Sequence, residues 1–249
     1  MHLDYPMTKS GLFILKKEHF DDIAKQVLLE YQPQVLQLPQ PLDIEHLAEE
    51  CLFLDMKSER LSEDGRILGL IAFADTIYNG VGPNNELHPI EVPEGTVLLD
   101  TSLNDIKHPG RKRFTQAHEA SHWICHRSHH SMDNRVYDFC KREECPAIAC
   151  RSDGLEHPGR NAYGKWTDED WEEWQANNLA AALLMPKEMF LQTFYDMMRK
   201  YGLRSDVLFW NHGSVLTLNV IDDIKHVFNV SRRAVELRMI RLGLLGGRY

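Results

Sequence analysis

The sequence predicts an α+β fold in which a small antiparallel sheet packs on helices, followed by a C-terminal helical segment. Apolar residues recur at helical spacing in five stretches that are bounded by proline, glycine or capping residues. Between the second and third of these stretches, residues 52–102 alternate short β-rich runs with turn-forming residues. The helical stretches are residues 23–31, 44–50, 111–127, 167–185 and 221–242.

The chain is long enough to bury a substantial core, because 43% of its 249 residues are hydrophobic. We expect a main domain over residues 1–205 and a helical segment over residues 206–249. Residues 128–166 have weak periodicity and many polar side chains, so we interpret them as an insertion in the main domain.

Composition excludes several classes of protein. The formal charge of −9 argues against broad attraction to nucleic acid or anionic lipid. No run of 18 or more uncharged apolar residues occurs, and the N-terminus lacks the order of charges of a signal peptide, so we expect a cytoplasmic protein with no membrane partner. The odd number of cysteines, 5, favours reduced thiols or metal ligands over a disulfide framework.

The first 50 residues are expected to be scaffold. Apolar spacing predicts an amphipathic helix that ends near Gln32 and Pro33. Asp43 is placed to cap a second, short helix that extends to Glu50. The residues expected to face the core are Ile23, Ala24, Val27, Leu28, Tyr31, Ile44, Leu47 and Ala48.

Three β-rich runs follow, over Cys51–Met56, Ile67–Ala74 and Thr96–Asp100. Turn-forming residues separate them, at 63–65, at Asn79-Gly80 and at 82–85. The last run shortly precedes the third helix, so it is a candidate for a sheet edge that pairs with an extended peptide. A core strand with no contact to a substrate is an equally good interpretation.

The third helix contains the sequence His-Glu-x-x-His. His118 and His122 are four residues apart, so both imidazoles leave the same helical face and can converge on one ion. Glu119 is rotated by about 100° from His118, where its carboxylate could take a proton from water beside the metal. Two histidines and a glutamate on a solvated face are the alternative. Apolar or small neighbours favour a buried metal helix instead: Phe114, Ala117, Ser121, Ile124 and Cys125.

The fourth helix offers a third ligand. Thr167 and Asp170 form a capping box at its start, and Pro186 stops it after Met185. Glu173 and Asn177 share a stripe with Ala180, Ala181 and Leu184, where small residues let another helix come close. If that neighbour is the His118 helix, Glu173 completes a two-histidine, one-carboxylate zinc site, and Asn177 steadies a ligand from behind. Glu172 is the main rival, although it is rotated by about 100°.

These two helices resemble the hallmark of the ImmA/IrrE family of bacterial zinc metallopeptidases. The resemblance rests on the segments Arg113–His122 and Glu173–Pro186, which read RFTQAHEASH and EWQANNLAAALLMP. It implies a zincin-like metallopeptidase domain with one catalytic zinc, the ligands His118, His122 and Glu173, and Glu119 as the general base. It also implies a substrate class, namely DNA-binding repressors of mobile elements, phages or damage responses.

One departure from the family is the spacing of 50 residues between His122 and Glu173, which the insertion explains. The insertion contains Cys140, Cys145 and Cys150, whose spacing is not that of a standard zinc knuckle. We favour ordinary thiols there over a second, structural metal. No residue is securely matched to the side chain that steadies the oxyanion in related peptidases, for which Tyr163, His126 and His212 are guesses.

The C-terminal segment resembles a helix-turn-helix. Two short helices are expected around a turn at 229–231, with Ser231 capping the second, and four arginines give local positive charge: Arg232, Arg233, Arg238 and Arg241. Because the whole chain is acidic, we expect a structural or substrate-docking role here, not direct DNA binding.

The sequence therefore predicts a zinc-dependent endopeptidase that cleaves or inactivates a helix-turn-helix transcriptional repressor. Two alternatives from other classes stay open. One is a non-catalytic, zinc-containing protein that binds the repressor, and the other is a DNA-binding regulator that uses the C-terminal helices. A general peptidase without a dedicated substrate is a third alternative.

Overall fold

The computed structural model describes residues 3–105, 107, 109–130, 147–151, 166–210 and 215–247, with the backbone alone over 147–151. The helices are α1 (His19–Tyr31), α2 (Ile44–His46), α3 (Pro109–His126), α4 (Asp168–Leu184), α5 (Lys187–Lys200), α6 (Val215–Phe228) and α7 (Arg232–Arg241). A π-helical turn, Leu47–Cys51, extends α2. The strands are β1 (Asp55–Glu59), β2 (Ile67–Ala72), β3 (Thr76–Val81), β4 (Leu87–Val92), β5 (Thr96–Asp100), β6 (Ala147–Arg151), β7 (Leu208–Phe209) and β8 (Leu245–Gly246). Helices and small sheets are mixed, as the predicted α+β class requires.

The main sheet has the strand order β1-β5-β2-β6. β2 is antiparallel to both β5 and β6, whereas β1 and β5 are parallel, so the sheet is mixed and the prediction of a purely antiparallel sheet is wrong. The difference arises because β5 returns between β1 and β2 after the chain has made the separate β3–β4 hairpin. β1 and β2 run in opposite directions, so a strand that lies between them must be parallel to one of the two.

Of the two interpretations of Thr96–Asp100, the core strand is confirmed and the sheet edge is wrong. Within the described residues β5 is hydrogen-bonded on both sides, with Val97 in register with Met56 of β1 and Ile71 of β2. All five of its residues are buried. Three consecutive apolar residues, Val97, Leu98 and Leu99, supply a strand that is covered on both faces, which is the pattern of a central strand.

Asn79 and Gly80 lie inside β3 and do not form the predicted turn. They pair with Pro89 and His88 of β4, and the hairpin turn falls at residues 82–85, the last turn signal that the sequence offered. Asn85 occupies the left-handed region there, with a φ of 62°, which asparagine tolerates better than most residues. Tertiary pairing thus overrode a local turn signal.

The predicted helix boundaries are confirmed at their capping residues. α1 ends at Tyr31, the side chain of Asp43 accepts a hydrogen bond from the His46 amide, and Thr167 and Asp170 form a capping box at the start of α4. α5 was not predicted, and neither was β6, which lies within the stretch interpreted as an insertion.

One buried apolar cluster joins the helices to the sheet. It contains residues of every helix and of β2 and β5, including Ala117 and Ala120 of α3 and Ala180 of α4, each with 0% exposure. Alanines at these positions let α3 and α4 approach closely, as the sequence pattern of the fourth helix predicted. α6 and α7 share this cluster, while a division of the chain at residue 205 stays a prediction. Within the described residues, no helix is both long and apolar enough to cross a membrane.

The positive charge expected at the C-terminal helices is largely matched by acidic partners. Arg232 pairs with Asp222, at 2.6 Å, and Arg233 pairs with Glu236, at 3.3 Å. Arg238, with 1% of its side chain exposed, is buried against Asp21 of α1 and donates to the carbonyl oxygen of Met185. The sequence placed Arg238 among the positive charges of the C-terminal segment. In the structure it is buried and links α7 to α1 and to the end of α4.

We expect Arg238→Met to lower the free energy of unfolding by about 3 kcal/mol, because methionine fills similar space but leaves the Asp21 carboxylate without its buried partner. Urea denaturation followed by tryptophan fluorescence measures the change.

Arg232→Met is the matched control, since it removes an arginine–aspartate pair from the surface. We expect that variant to lose less than about 1 kcal/mol. Equal losses of unfolding free energy in the two variants would show that the buried ion pair stabilises the fold no more than the surface pair does.

Candidate metal centre

Two histidines of α3 meet at one point beneath the surface. His118 and His122 are both 0% exposed, and their Nε2 atoms lie 2.9 Å apart. They belong to a continuous buried run from Thr115 to Trp123, which exists because α3 packs against both β2 and α4. The helix prediction for this stretch is confirmed, with bounds of 109–126 in place of 111–127.

α4 brings Glu173 to the same point. Its Oε2 lies 3.5 Å from His118 Nε2, and its Oε1 lies 3.3 Å from His122 Nε2. A tetrahedral zinc ion with bonds of about 2.0–2.1 Å holds its ligand atoms about 3.3 Å apart. The spacing of these three side chains therefore suits such an ion. Glu172, the rival acid, points elsewhere and contacts two other histidines.

Asn177 lies behind His118. Its Oδ1 is 3.2 Å from His118 Nδ1, the ring nitrogen that faces away from Glu173. With the amide oxygen in this position, Nδ1 carries the proton and donates it, so Nε2 presents a lone pair to the common point. Asn177 is where the sequence placed it, and its contribution to metal binding stays a prediction.

A longer hydrogen-bond chain orients His122. Gln175 donates through Nε2 to the carbonyl oxygen of Phe13, at 2.8 Å, so its Oε1 faces His126 Nε2 and accepts a hydrogen bond from it, at 3.3 Å. Burial lowers the pKa of His126 to about 3, so this imidazole is neutral and its Nδ1 is an acceptor. His122 Nδ1 lies 2.9 Å away and is the donor. His122 Nε2 therefore also presents a lone pair to the common point.

The common point is thus surrounded by acceptors. Burial raises the pKa of Glu173, but positive charge at His118 and His122 lowers it below its ordinary value, so this carboxylate is ionised when a proton or another cation lies at the common point. Two imidazole lone pairs and a carboxylate at these distances repel each other unless a cation lies among them. Two histidines and one glutamate are the donor set of many catalytic zinc sites, and the residues present fit that ion.

Glu119 occupies the wall of the site next to β2. It is 0% exposed, and within the described residues neither carboxylate oxygen has a hydrogen-bond partner. Burial raises its pKa to about 8, against an opposing effect of His118 and with a further increase from Glu173. A buried carboxyl group without a partner indicates that the site is completed by water, an ion or a substrate.

Gly69 makes room for this carboxyl group. A Cβ atom at residue 69 would lie 2.5 Å from Glu119 Oε1 and 2.7 Å from Thr115 Cγ2, both far inside van der Waals contact. β2 and α3 can therefore approach this closely only because residue 69 has no side chain.

The sequence analysis did not identify three residues that support the site. His126 and Gln175 form the hydrogen-bond chain that orients His122, and Gly69 leaves room for the Glu119 carboxyl group. The helical spacing from His122 to His126 was visible, but the partner of His126 depends on how α4 packs. Of the guesses for an oxyanion-stabilising residue, His126 lies behind the ligand histidine, and Tyr163 and His212 lie outside the described residues. So do Cys140 and Cys145, and of Cys150 only the backbone is described.

We expect His118→Ala to bind one equivalent of zinc fewer than the wild-type protein, because it removes one of three converging acceptors. Metal analysis after dialysis against a weak chelator measures the stoichiometry. His46→Ala, which changes an exposed histidine of α2, is the control and should keep the wild-type amount. Wild-type zinc content in His118→Ala would contradict this ligand set.

No curated protein matches this chain. A family model does: the model of the IrrE N-terminal-like domain, Peptidase M78, matches residues 148–239. The match covers Glu173 and Asn177 and begins after the His-Glu-x-x-His stretch at 118–122. It agrees with the family predicted from the two helix motifs, and residues 148–239 are similar to the IrrE N-terminal-like domain.

Proposed function

We propose that this protein is a zinc-dependent endopeptidase that inactivates a DNA-binding repressor by cleaving it. One observation carries the catalytic part of the proposal: the buried acceptors His118 Nε2 and His122 Nε2 and the half-buried Glu173 carboxylate converge beside the carboxyl group of Glu119, which has no hydrogen-bond partner among the described residues. The match to a peptidase family supports a protein substrate.

His118, His122 and Glu173 would hold the zinc ion. When bound, zinc supplies Lewis acidity, which makes water easier to deprotonate and a peptide carbonyl easier to attack. Glu119 accepts the proton from the attacking water and passes it to the leaving amine as the peptide bond breaks. Asn177 and His126 keep the two histidines in the tautomers that ligation needs.

The identity of the substrate is supported by the family resemblance. The resemblance to the ImmA/IrrE family implies that the substrate is a DNA-binding repressor. A helix-turn-helix repressor of a mobile element, phage or stress regulon is therefore the first substrate to test. The acidic partners of Arg232 and Arg233 and the burial of Arg238 weigh against the alternative in which the C-terminal helices read DNA.

We expect Glu119→Gln to keep its zinc and to cleave a cognate repressor at least about 100-fold more slowly, because an amide cannot take the proton from water. Cleavage is followed by gel electrophoresis of the zinc-loaded enzyme with a repressor encoded beside it. Glu169→Gln, at an exposed position of α4, is the control and should cleave normally.

The same variant separates the proposal from its rivals. If Glu119→Gln still relieves repression in cells, the protein acts by docking and not by cleavage. Digestion of casein as fast as the repressor would indicate a general peptidase, and salt-sensitive binding to DNA in an anisotropy titration would favour the regulator.

We expect Gly69→Ala to lower cleavage by about 100-fold while zinc binding is retained, because the new methyl group must displace the Glu119 carboxyl group and its nearest neighbours belong to Glu119 and Thr115, which are not proposed ligands. Steady-state rates and zinc content are measured on the same preparation. Gly80→Ala is the matched control, since the nearest neighbours of its added Cβ are the side chains of Ile90 and His88 in the β3–β4 hairpin. Equal losses in the two variants would count against a specific role for the space at Gly69.

A further inference from the structure

A second group of two histidines and one glutamate lies on another face of the same helix pair. Where α3 ends, the chain turns and brings His129 and His130 against Glu172, the residue before Glu173. The Nε2 atoms of His129 and His130 lie 3.3 and 2.9 Å from Glu172 Oε1. This cluster shares no side chain with the proposed catalytic centre.

The cluster is buried, and its side chains are held in place from outside. Only 6% of the side chain is exposed in His129 and in Glu172, and 19% in His130. The ring of His130 stacks on Phe73, with centroids 4.5 Å apart and an interplanar angle of 14°. Rigid positioning of this kind is what a metal site needs and what a surface ion pair generally lacks.

The hydrogen bond behind His129 fixes its tautomer. His129 Nδ1 lies 2.5 Å from the carbonyl oxygen of Ser10, and a carbonyl oxygen can only accept, so Nδ1 carries a proton. In a neutral imidazole Nε2 then has a lone pair, and this lone pair points at Glu172 Oε1. Two acceptors face each other across 3.3 Å, which requires a positive charge between them. A histidine that donates Nδ1–H to a backbone carbonyl while Nε2 binds metal is the usual arrangement in metalloproteins.

We propose that His129, His130 and Glu172 bind a second divalent metal ion of the zinc class. All three ligand atoms lie within 4.8 Å of one another, and two imidazoles with one carboxylate suit Zn²⁺ or Co²⁺ better than Mg²⁺ or Ca²⁺. The ion would tie the turn after α3 to α4 and, through Ser10, to the N-terminal segment. The competing explanation is that His129 is an imidazolium ion paired with Glu172.

The test is a titration of the full-length protein with Co²⁺, after its metals have been removed with a chelator. Cobalt bound to histidine and carboxylate absorbs visible light, and the number of equivalents is read from the break in the titration. We expect two equivalents for the wild-type protein and one for Glu172→Gln. Glu173→Gln should also bind one, and the double variant none, so that loss of either site is distinguishable from loss of the other.

His130→Phe controls for a loss of folding, because phenylalanine keeps a ring that can stack on Phe73 and lacks the nitrogen that would bind the metal. It should bind one equivalent and keep the circular dichroism spectrum of the wild-type protein. Glu169→Gln, on the exposed face of α4, should bind two. A single equivalent in the wild-type protein, or a second equivalent that survives both Glu172→Gln and His130→Phe, would overturn the proposal.

Discussion

The close packing of α3 against α4 is the constraint on which the rest of the site depends. Side chains with little bulk, such as Ala117 and Ala180, line the contact, and the two helices come near enough for polar groups of one to meet polar groups of the other. Because this contact is buried, every polar group in it needs a partner. His118, His122 and Glu173 lie close to one another, but each presents an acceptor to their meeting point, so none of them can donate a hydrogen bond to another there. A cation resolves that conflict with no change in the packing.

The orientation of His122 also depends on residues that are distant in the sequence. His122 is held through His126 and Gln175 to the carbonyl oxygen of Phe13, so an N-terminal residue helps to set the tautomer of a side chain in α3. The same N-terminal segment reaches His129 through Ser10. A hydrogen-bond chain that starts from a backbone carbonyl has a fixed direction, since a carbonyl cannot donate. The N-terminal segment therefore supports the site through the carbonyl oxygens of Ser10 and Phe13.

Neighbouring glutamates of α4 serve separate histidine pairs. Glu173 faces His118 and His122, whereas Glu172, rotated by about 100° around the helix, faces the pair that follows the end of α3. Electrostatics makes this separation important, because two adjacent carboxylates in one buried pocket would repel each other and one would be protonated. Placed on different faces, each carboxylate has its own pair of histidines and its own place for a cation. The cost of burying two acids is offset locally at each face.

The sequence by itself determined the features that depend on spacing within one element. The helical period put His118 and His122 on one face, the capping residues Thr167 and Asp170 fixed the start of α4, and the stripe of small residues selected Glu173 over Glu172 as the acid that faces α3. Local chemistry is sufficient for such features, because neighbours along a helix are neighbours in space.

Tertiary structure decided what depends on the partner of each element. β5 is central and not an edge because the chain returns it between β1 and β2, and Asn79-Gly80 pairs within a hairpin because β4 supplies hydrogen bonds that outweigh a local turn preference. The sequence around Arg238 suggested a surface arginine, yet it is buried in an ion pair with Asp21, which is distant in the sequence. The partners of His126 and the space above Gly69 have the same origin. They arise from contacts between segments that no periodicity relates, so only the packed chain could reveal them.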